Sequence, residues 1–206
     1  IIKNINKNGS IVLNADDSYF RKHQKMALYN KLKICTFSLN NKNTNVYIKK
    51  IIKQKYKYKI IVNVNKKKNF FLVKSIFESS LKNILAAIAV ISMFKNINTL
   101  NKNIFYKFKT PKGRGDISKI KIRKKVIKFI DESYNANPLS VSSAIKNFDL
   151  IKKGSNKKNL ILSDMLELGK HSKKLHEKLA KDINLSKIDN VYVYGNNVKH
   201  TFNKII

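Results

Sequence analysis

The residues best suited to chemistry lie in one short segment, 131–138, with the sequence Asp-Glu-Ser-Tyr-Asn-Ala-Asn-Pro. Carboxylates that follow a strand can accept hydrogen bonds from ribose hydroxyls, as one does in dinucleotide-binding folds. Serine and asparagine side chains can anchor a phosphate or an amino-acid backbone. The structural alternative is a capped turn, with Asn137 as the helix N-cap and Pro138 as the first helical residue. The two interpretations are compatible, and either leaves the segment a candidate binding loop.

A second candidate is the loop 111–116, Pro-Lys-Gly-Arg-Gly-Asp. Arg114 is one of only three arginines in a chain that otherwise uses lysine as its cation. A guanidinium binds phosphate oxygens in a fixed planar geometry, and the flanking glycines let the backbone come close to a ligand. The alternative interpretation is a plain hinge between two domains.

A third segment, 163–169, has the sequence Ser-Asp-Met-Leu-Glu-Leu-Gly and ends a predicted strand with two acids and a glycine. A helix N-terminus that favours negative charge explains it equally well. His176 follows on a predicted helix, where a single histidine is more often structural than catalytic. The sequence contains no Ser/His/Asp set, no Cys/His metal pattern and no GxxxxGK[ST] phosphate loop. We therefore assign no catalytic residue and no metal ligand.

The elements that must position these loops follow a regular alternation after residue 116. We predict strands at 126–130, 159–162 and 191–194, and helices at 139–151 and 172–182. Such an alternation is typical of parallel strands joined by crossover helices, a Rossmann-like half-sheet. Ligands of these sheets bind beyond the carboxyl ends of the strands, where segments 131–137 and 163–167 are expected to lie.

The first half of the chain predicts a different arrangement. Alternate apolar residues at 56–64 indicate a half-buried strand, and residues 70–73 are expected to pair with it as a hairpin. We also predict a short strand at 11–13 and a helix over 19–30. An apolar stripe (Leu81, Ile84, Leu85, Ile88 and Ile91) predicts a second helix, capped by Ser79 or Ser80. Residues 96–116 are expected to form a hinge-like connection.

Composition limits the function classes. Lys plus Arg is 44 and Asp plus Glu is 12, so the net charge is 44 − 12 = +32, and 43% of the residues are hydrophobic, as in globular domains. Scattered lysines mixed with asparagine and isoleucine reflect A/T-rich codons, so we expect no specific nucleic-acid partner. The longest apolar run, 84–94, is too short to span a membrane. A single cysteine suits a reducing compartment, and we expect a cytoplasmic protein.

Taken together, the motifs resemble those of the Mur ligases. The resemblance rests on Asn-Ala-Asp-Asp at 14–17, Asn-Ile-Leu-Ala-Ala at 83–87, Gly-Arg-Gly at 113–115, the segment 131–138, and Asp-Met-Leu-Glu-Leu-Gly at 164–169 with His176. It covers about residues 9–200. It implies an α/β fold: the C-terminal part of a central ATP-binding domain at 1–108, and a truncated Rossmann-like C-terminal domain with a parallel sheet at 109–206.

The resemblance also implies an activity. Within the family the chain is most similar to the ligase that adds D-alanyl-D-alanine to UDP-N-acetylmuramoyl-tripeptide in peptidoglycan synthesis. That reaction activates a carboxylate with ATP and Mg²⁺ as an acyl phosphate, which the amine of the dipeptide then attacks. The resemblance implies ATP as cofactor, the UDP-linked tripeptide and the dipeptide as substrates, and a monomeric full-length enzyme without membrane partners.

Site residues are carried over position by position. The ATP-binding residues implied are Asn83 near the adenine, Arg114 at the nucleotide, and Asp131 or Glu132 at the ribose. The loop bordering the phosphate and dipeptide side comprises Ser133, Tyr134, Asn135 and Asn137. The sequence departs from the family in two ways: Ser79-Ser80 replaces a usual His-Asn, and Glu132 replaces the second Asp.

The family's phosphate loop, magnesium ligands and modified lysine would all lie upstream of Ile1. We therefore expect this chain to be inactive as a ligase by itself. Three alternatives remain open: a non-catalytic remnant that binds a nucleotide or a partner chain, another Mur or folylpolyglutamate-type ligase, and, least favoured, a basic nucleic-acid-binding module.

Overall fold

The computed structural model describes residues 2–108, 111–152 and 154–206. The chain divides into two compact units, Ile1–Phe108 and Lys109–Ile206. Each unit has its own sheet and its own buried apolar cluster. Within the described residues, no helix is both long and apolar enough to cross a membrane.

The first unit is built on a five-stranded mixed sheet. Strands β1, β2 and β3 run parallel, and β3, β4 and β5 form an antiparallel meander, in the spatial order β1-β2-β3-β4-β5. The elements are β1 (Ser10–Asn14), α1 (Phe20–Tyr29), β2 (Lys33–Ser38), β3 (Val46–Lys53), β4 (Tyr58–Val64), β5 (Lys67–Val73), α2 (Glu78–Ser92) and a short α3 (Ile104–Lys107).

The core of this unit explains why its strands and helix form. Alternate residues of β4, Ile60 and Val62, are fully buried and face the apolar stripe of α2, from which Leu85 and Ile88 are also fully buried. Each such side chain contributes about 1.5–3 kcal/mol when it leaves water. The predicted hairpin is therefore confirmed, with β4 starting two residues later than the first apolar position, Tyr56.

Three predictions for this unit need correction. Neither Ser79 nor Ser80 caps α2, because the helix begins earlier, at Glu78, whose carboxylate pairs with Lys82 at 2.6 Å in the first turn. Strands β2 and β3 were not predicted. The expected hinge at 96–116 holds a helical turn, Ile97–Thr99, as well as α3 and the start of the next strand, while its residues 109–110 lie outside the described residues.

Over residues 111–152 and 154–206, the second unit contains two small sheets and three α-helices. An antiparallel pair, β6 (Asp116–Ile122) and β7 (Lys125–Asp131), is followed by α4 (Pro138–Leu150), β8 (Asn159–Ser163), α5 (Ser172–Asn184), β9 (Asn190–Tyr194) and a short α6 (Lys199–Phe202). Strands β8 and β9 pair in parallel, as predicted. Their buried face packs with α4, α5 and α6 through Ile145, Leu162, Ile183 and Val198.

The sheet predicted for this unit was wrong in one respect. We expected β7 to be the first of three parallel strands, but within the described residues it pairs with β6 as a hairpin and not with β8. The turn between them places Arg123 at φ +53°, which reverses the chain within two residues. The seven-residue ladder that follows is a local contact and costs little loop-closure entropy.

Candidate functional site

The hairpin brings the first two candidate loops together. Strand β6 starts at Asp116 and β7 ends at Asp131, and these two residues are opposite each other in the antiparallel ladder. The loop before β6 and the loop after β7 therefore leave the hairpin at the same end. Two backbone hydrogen bonds join them: Gly115 N–H donates to the Asp131 carbonyl oxygen at 2.7 Å, and Tyr134 N–H donates to the Gly113 carbonyl oxygen at 3.0 Å.

Both junctions favour glycine, and Gly113 requires it. Gly113 has φ +72° and is buried, and a Cβ added there would lie 2.9 Å from the backbone nitrogen of Tyr134. Gly115 has φ +82°, and its Cβ would lie 2.9 Å from Glu132 Oε1. The left-handed conformation strains any other residue at both positions, and at Gly113 the facing backbone of the second loop also leaves no room for a side chain. The glycines noted in the sequence thus serve the contact between loops.

Arg114 lies between these glycines and is held by an aromatic ring. Its guanidinium carbon is 4.3 Å from the ring centroid of Tyr134, a cation–π contact. Both side chains remain open to water, with Tyr134 67% exposed. The contact orders the guanidinium without consuming its N–H donors, which stay available to an anion.

The two loops carry three acids, and backbone N–H groups of the same loops bind two of them. Asp116 Oδ1 accepts the Gly113 N–H at 2.6 Å, and Asp131 Oδ1 accepts the Ser133 N–H at 2.9 Å. The hydroxyl and the backbone N–H of Ser133 together hold the pKa of Asp131 below its usual value. Both carboxylates therefore fix the conformation of their loops.

Glu132 differs from the other two acids. Partial desolvation, followed by the negative charges of Asp131 and Asp116, raises the pKa of Glu132. Within the described residues its carboxylate accepts no hydrogen bond, although the side chain lies directly over Gly115. Of the two acids that the sequence offered for a ribose, Glu132 is the one that accepts no hydrogen bond from its own loop, whereas Asp131 already accepts one from Ser133.

The end of the loop is a helix cap, as the structural interpretation predicted. Asn137 Oδ1 accepts the N–H groups of Leu139 and Ser140 at 3.0 and 2.9 Å, and Ser140 Oγ accepts the Asn137 N–H at 3.0 Å. Pro138 occupies the first helical position of α4. The side chain of Asn135 accepts a hydrogen bond on Oδ1 from the N–H of the next residue, Ala136, at 2.8 Å. Asn137 thus anchors the loop to α4.

The third candidate segment is tied into the fold and is not a free acidic site. The Asp164 carboxylate accepts the N–H groups of Asn196, Asn197 and Val198 at 3.1, 2.9 and 2.7 Å, joining the carboxyl ends of β8 and β9. Desolvation opposes ionisation of Asp164, but these three hydrogen bonds, with a smaller contribution from His176, outweigh it and lower the pKa.

His176 is structural, as expected for a single histidine on a helix. It is fully buried, and its Nε2 accepts the Met165 N–H at 3.0 Å. Because Nε2 must then carry the lone pair, the proton is on Nδ1, which donates to the Ser172 carbonyl oxygen at 2.9 Å. The ring therefore fixes the loop after β8 to the start of α5.

One predicted residue belongs to the other unit. Asn83 is exposed on α2 in the first unit, whereas Arg114, Asp131, Glu132, Ser133 and Tyr134 belong to the second. Within the described residues, no group of three or more His, Cys, Asp or Glu side chains could hold a metal ion. The two paired loops thus present one cationic and several acidic side chains. These groups suit a polar ligand that carries phosphates and hydroxyls.

Comparison with known families defines the class of protein. The model of the Mur ligase middle domain matches residues 1–91, and that of the Mur ligase glutamate ligase domain matches residues 118–205. The chain belongs to the Mur ligase family, whose members are enzymes.

Two relatives of the chain within this family share the same name. The chain is 28% identical over 201 residues to the UDP-N-acetylmuramoyl-tripeptide–D-alanyl-D-alanine ligase of Buchnera aphidicola, covering 95% of this chain and 40% of that protein. It is 39% identical over 69 residues to the ligase of the same name from Bacillus subtilis, covering 34% of this chain and 15% of the relative. The chain thus spans two fifths or less of the length of these relatives.

Solved structures share the fold. MurF from Acinetobacter baumannii superposes with a TM-score of 0.81 at 19% identity, covering 100% of this chain and 43% of that one. MurF from Thermotoga maritima, solved in complex with ADP, superposes with a TM-score of 0.74 at 20% identity, covering 95% of this chain and 42% of that one. The α/β fold class predicted from the sequence is confirmed.

Proposed function

We propose that this chain is the nucleotide-facing part of an ATP-dependent ligase that joins D-alanyl-D-alanine to UDP-N-acetylmuramoyl-tripeptide in peptidoglycan synthesis. In this proposal residues 1–108 are the C-terminal part of the ATP-binding domain, and residues 109–206 belong to the C-terminal domain. The family matches and the shared name of the two curated relatives support it. The proposal includes a monomeric, cytoplasmic enzyme without a nucleic-acid or membrane partner.

The observation that carries the proposal is the joining of loops 111–116 and 131–137 at one end of the β6–β7 hairpin. This arrangement exposes the Arg114 guanidinium and the Glu132 carboxylate at the same end of the hairpin. Arg114 would bind phosphate oxygens of the nucleotide, and Glu132 would accept hydrogen bonds from ribose hydroxyls. Asn83 would contact the adenine, and residues 133–137 would border the phosphate and the dipeptide.

The proposed reaction has two steps. The γ-phosphoryl group of ATP passes to the terminal carboxylate of the tripeptide, which gives an acyl phosphate and ADP. The dipeptide amine then attacks the acyl carbon, the carbon–oxygen bond to phosphate breaks, and an amide, inorganic phosphate and a proton result. The described residues provide no Mg²⁺ ligand set, so we assign no step through that ion. For this chain the role is to orient the nucleotide through Arg114 and Glu132.

Nucleotide binding by the purified chain tests this role. We expect fluorescent mant-ADP to bind, and Arg114→Met and Glu132→Gln each to weaken binding at least fivefold. Arg21→Met on α1 and Glu177→Gln on α5 are matched controls and should change affinity less than twofold. Equal losses in site and control variants would contradict the assignment of the paired loops.

A phosphate-release assay with the UDP-linked tripeptide, D-alanyl-D-alanine and ATP tests the complementary expectation. The chain by itself should release no phosphate above background, because within its sequence there is no GxxxxGK[ST] loop to hold the transferring group. Substrate-dependent turnover would contradict the expectation that this chain is inactive as a ligase by itself.

A further inference from the structure

Tyr134 is a large aromatic residue that the loop after β7 holds in water. It is 67% exposed, so burial of its ring adds little to the stability of the fold. The contact that the ring does make is with a cation, since the guanidinium carbon of Arg114 lies 4.3 Å from the ring centroid. An exposed ring in contact with a cation points to a role in holding that cation.

The pairing of the two loops fixes the backbone on both sides of this contact. Tyr134 N–H donates to the Gly113 carbonyl oxygen at 3.0 Å, and Gly115 N–H donates to the Asp131 carbonyl oxygen at 2.7 Å. Arg114 therefore lies between two anchored glycines. The freedom that remains to it is in its long side chain, which loses rotamer entropy when the guanidinium binds a ligand. A ring that already orders the guanidinium reduces this loss on binding.

Arg114 contacts this ring although three acids lie on the same two loops. Asp116 and Asp131 accept backbone N–H groups, and within the described residues no carboxylate forms an ion pair with Arg114. A carboxylate would occupy the guanidinium N–H groups and neutralise the charge, whereas an aromatic face contacts the flat side of the guanidinium. Tyr134 can thus order the cation and preserve its affinity for an anion.

We propose that Tyr134 is a positioning residue that orders Arg114 for the phosphate groups of the nucleotide, and that it thereby favours a polyphosphate over a nucleoside. The inference rests on the proposed function, because it assigns a further residue to the same nucleotide site. An exposed cation–π contact changes an equilibrium constant about two- to fivefold. Removal of the ring should therefore weaken phosphate binding by about that factor, and phenylalanine should replace tyrosine because the contact is with the ring.

A double-mutant cycle with mant-ADP tests this role. We expect Tyr134→Leu to weaken binding about threefold, and Tyr134→Phe to stay within about 1.5-fold of the wild type. The matched control Tyr192→Leu, at an exposed tyrosine of β9, should also stay within about 1.5-fold. Because Tyr134 acts through Arg114, Tyr134→Leu should have no further effect in the Arg114→Met background.

These tyrosine substitutions leave the net charge and the backbone N–H groups unchanged, so the lysine excess of the chain affects all of the variants alike. Circular dichroism should be the same for each of them, since both tyrosines are exposed. Additive losses in the Tyr134→Leu/Arg114→Met double variant would overturn the proposal. Equal losses in Tyr134→Leu and Tyr134→Phe would also overturn it, because the ring would then not be the group that matters.

A change of ligand separates this inference from the proposed function. Tyr134→Leu should weaken inorganic tripolyphosphate by the same factor in isothermal titration calorimetry, and should leave adenosine unchanged in competition with mant-ADP. Without any ligand, the ring current should shift the side-chain protons of Arg114 upfield in the wild type and in Tyr134→Phe, relative to Tyr134→Leu. An absent shift would overturn the contact itself.

The combined results assign each failure to one of the two proposals. Binding of tripolyphosphate that depends on Tyr134, without binding of mant-ADP, would support the positioning role and contradict the nucleotide site. Equal binding of mant-ADP by the wild type and Tyr134→Leu would overturn the positioning role and leave the nucleotide site supported. Binding of neither ligand would overturn both.

Discussion

Replacing Gly113 by alanine should break the joint between the two loops of the candidate site. The added Cβ would lie 2.9 Å from the Tyr134 nitrogen, 3.0 Å from its Cβ and 3.2 Å from its Cα. None of these atoms is the flexible end of a side chain. The same residue accepts the Tyr134 N–H on its carbonyl oxygen, so relief of the clash must stretch that hydrogen bond.

The expected loss of unfolding free energy has two parts, and a substitution at a second glycine separates them. A non-glycine residue in the left-handed region costs about 1–2 kcal/mol. Gly154 also has a positive φ, +55°, but among the described residues nothing lies within 4 Å of its added Cβ, so Gly154→Ala should show the backbone cost alone. Gly113→Ala adds the clash and the weakened hydrogen bond, about 1–2 kcal/mol more.

Urea unfolding at 25 °C measures both values, and mant-ADP titration measures the consequence for the site. We expect Gly113→Ala to lose about 2–4 kcal/mol of unfolding free energy and to bind nucleotide at least fivefold more weakly. Gly154→Ala should lose about 1–2 kcal/mol and retain its affinity. Equal destabilisation by the two substitutions would refute the argument that Gly113 is required by the facing loop.

Three further predictions concern side chains around the second unit's loops. His176→Ala should lose about 3 kcal/mol in urea unfolding, because it opens a cavity and leaves the Met165 N–H without its acceptor; a loss below 1 kcal/mol would contradict that role. The lowered pKa of Asp164 means that it stabilises the fold above about pH 4, and that this contribution disappears as pH falls through its folded pKa. Asp164→Asn should therefore flatten the acid limb of a stability–pH curve, and an unchanged limb would count against it. The raised pKa of Glu132 means the opposite: ionisation opposes folding at higher pH. Glu132→Gln should stabilise the protein at pH 7 and have little effect at pH 4, and a destabilised variant at pH 7 would contradict this.

Local signals in the sequence predicted several features correctly. Asn137 followed by Pro138 predicted the start of α4, because capping depends on neighbours within one helical turn. Alternation in residues 56–64 predicted β4, which forms over Tyr58–Val64, since half-burial leaves a period of two in the residue types. The strands β8 and β9 and the helix α5 between them followed from the same periodicities.

What the sequence did not predict depends on contacts between distant residues. Lysine alternates with isoleucine along β6, and this composition hid a strand with both faces exposed. Without β6, the apolar run of β7 was interpreted as a buried parallel strand. The difference between Asp131 and Glu132 was also not predictable, because it depends on which carboxylate Ser133 occupies. The motif thus located the loop, and the hairpin determined which side chains remain free.

An ¹H–¹⁵N NMR titration of the chain with ADP tests the central claim most directly, because it maps the ligand onto individual backbone N–H groups. We predict saturable shifts at Gly113, Arg114, Gly115, Glu132 and Ser133, with smaller changes across α5. The same titration of Arg114→Met should need at least fivefold more ADP to reach half-saturation. Saturable shifts that leave both loops unchanged, or no saturable binding at all, would contradict the proposed site.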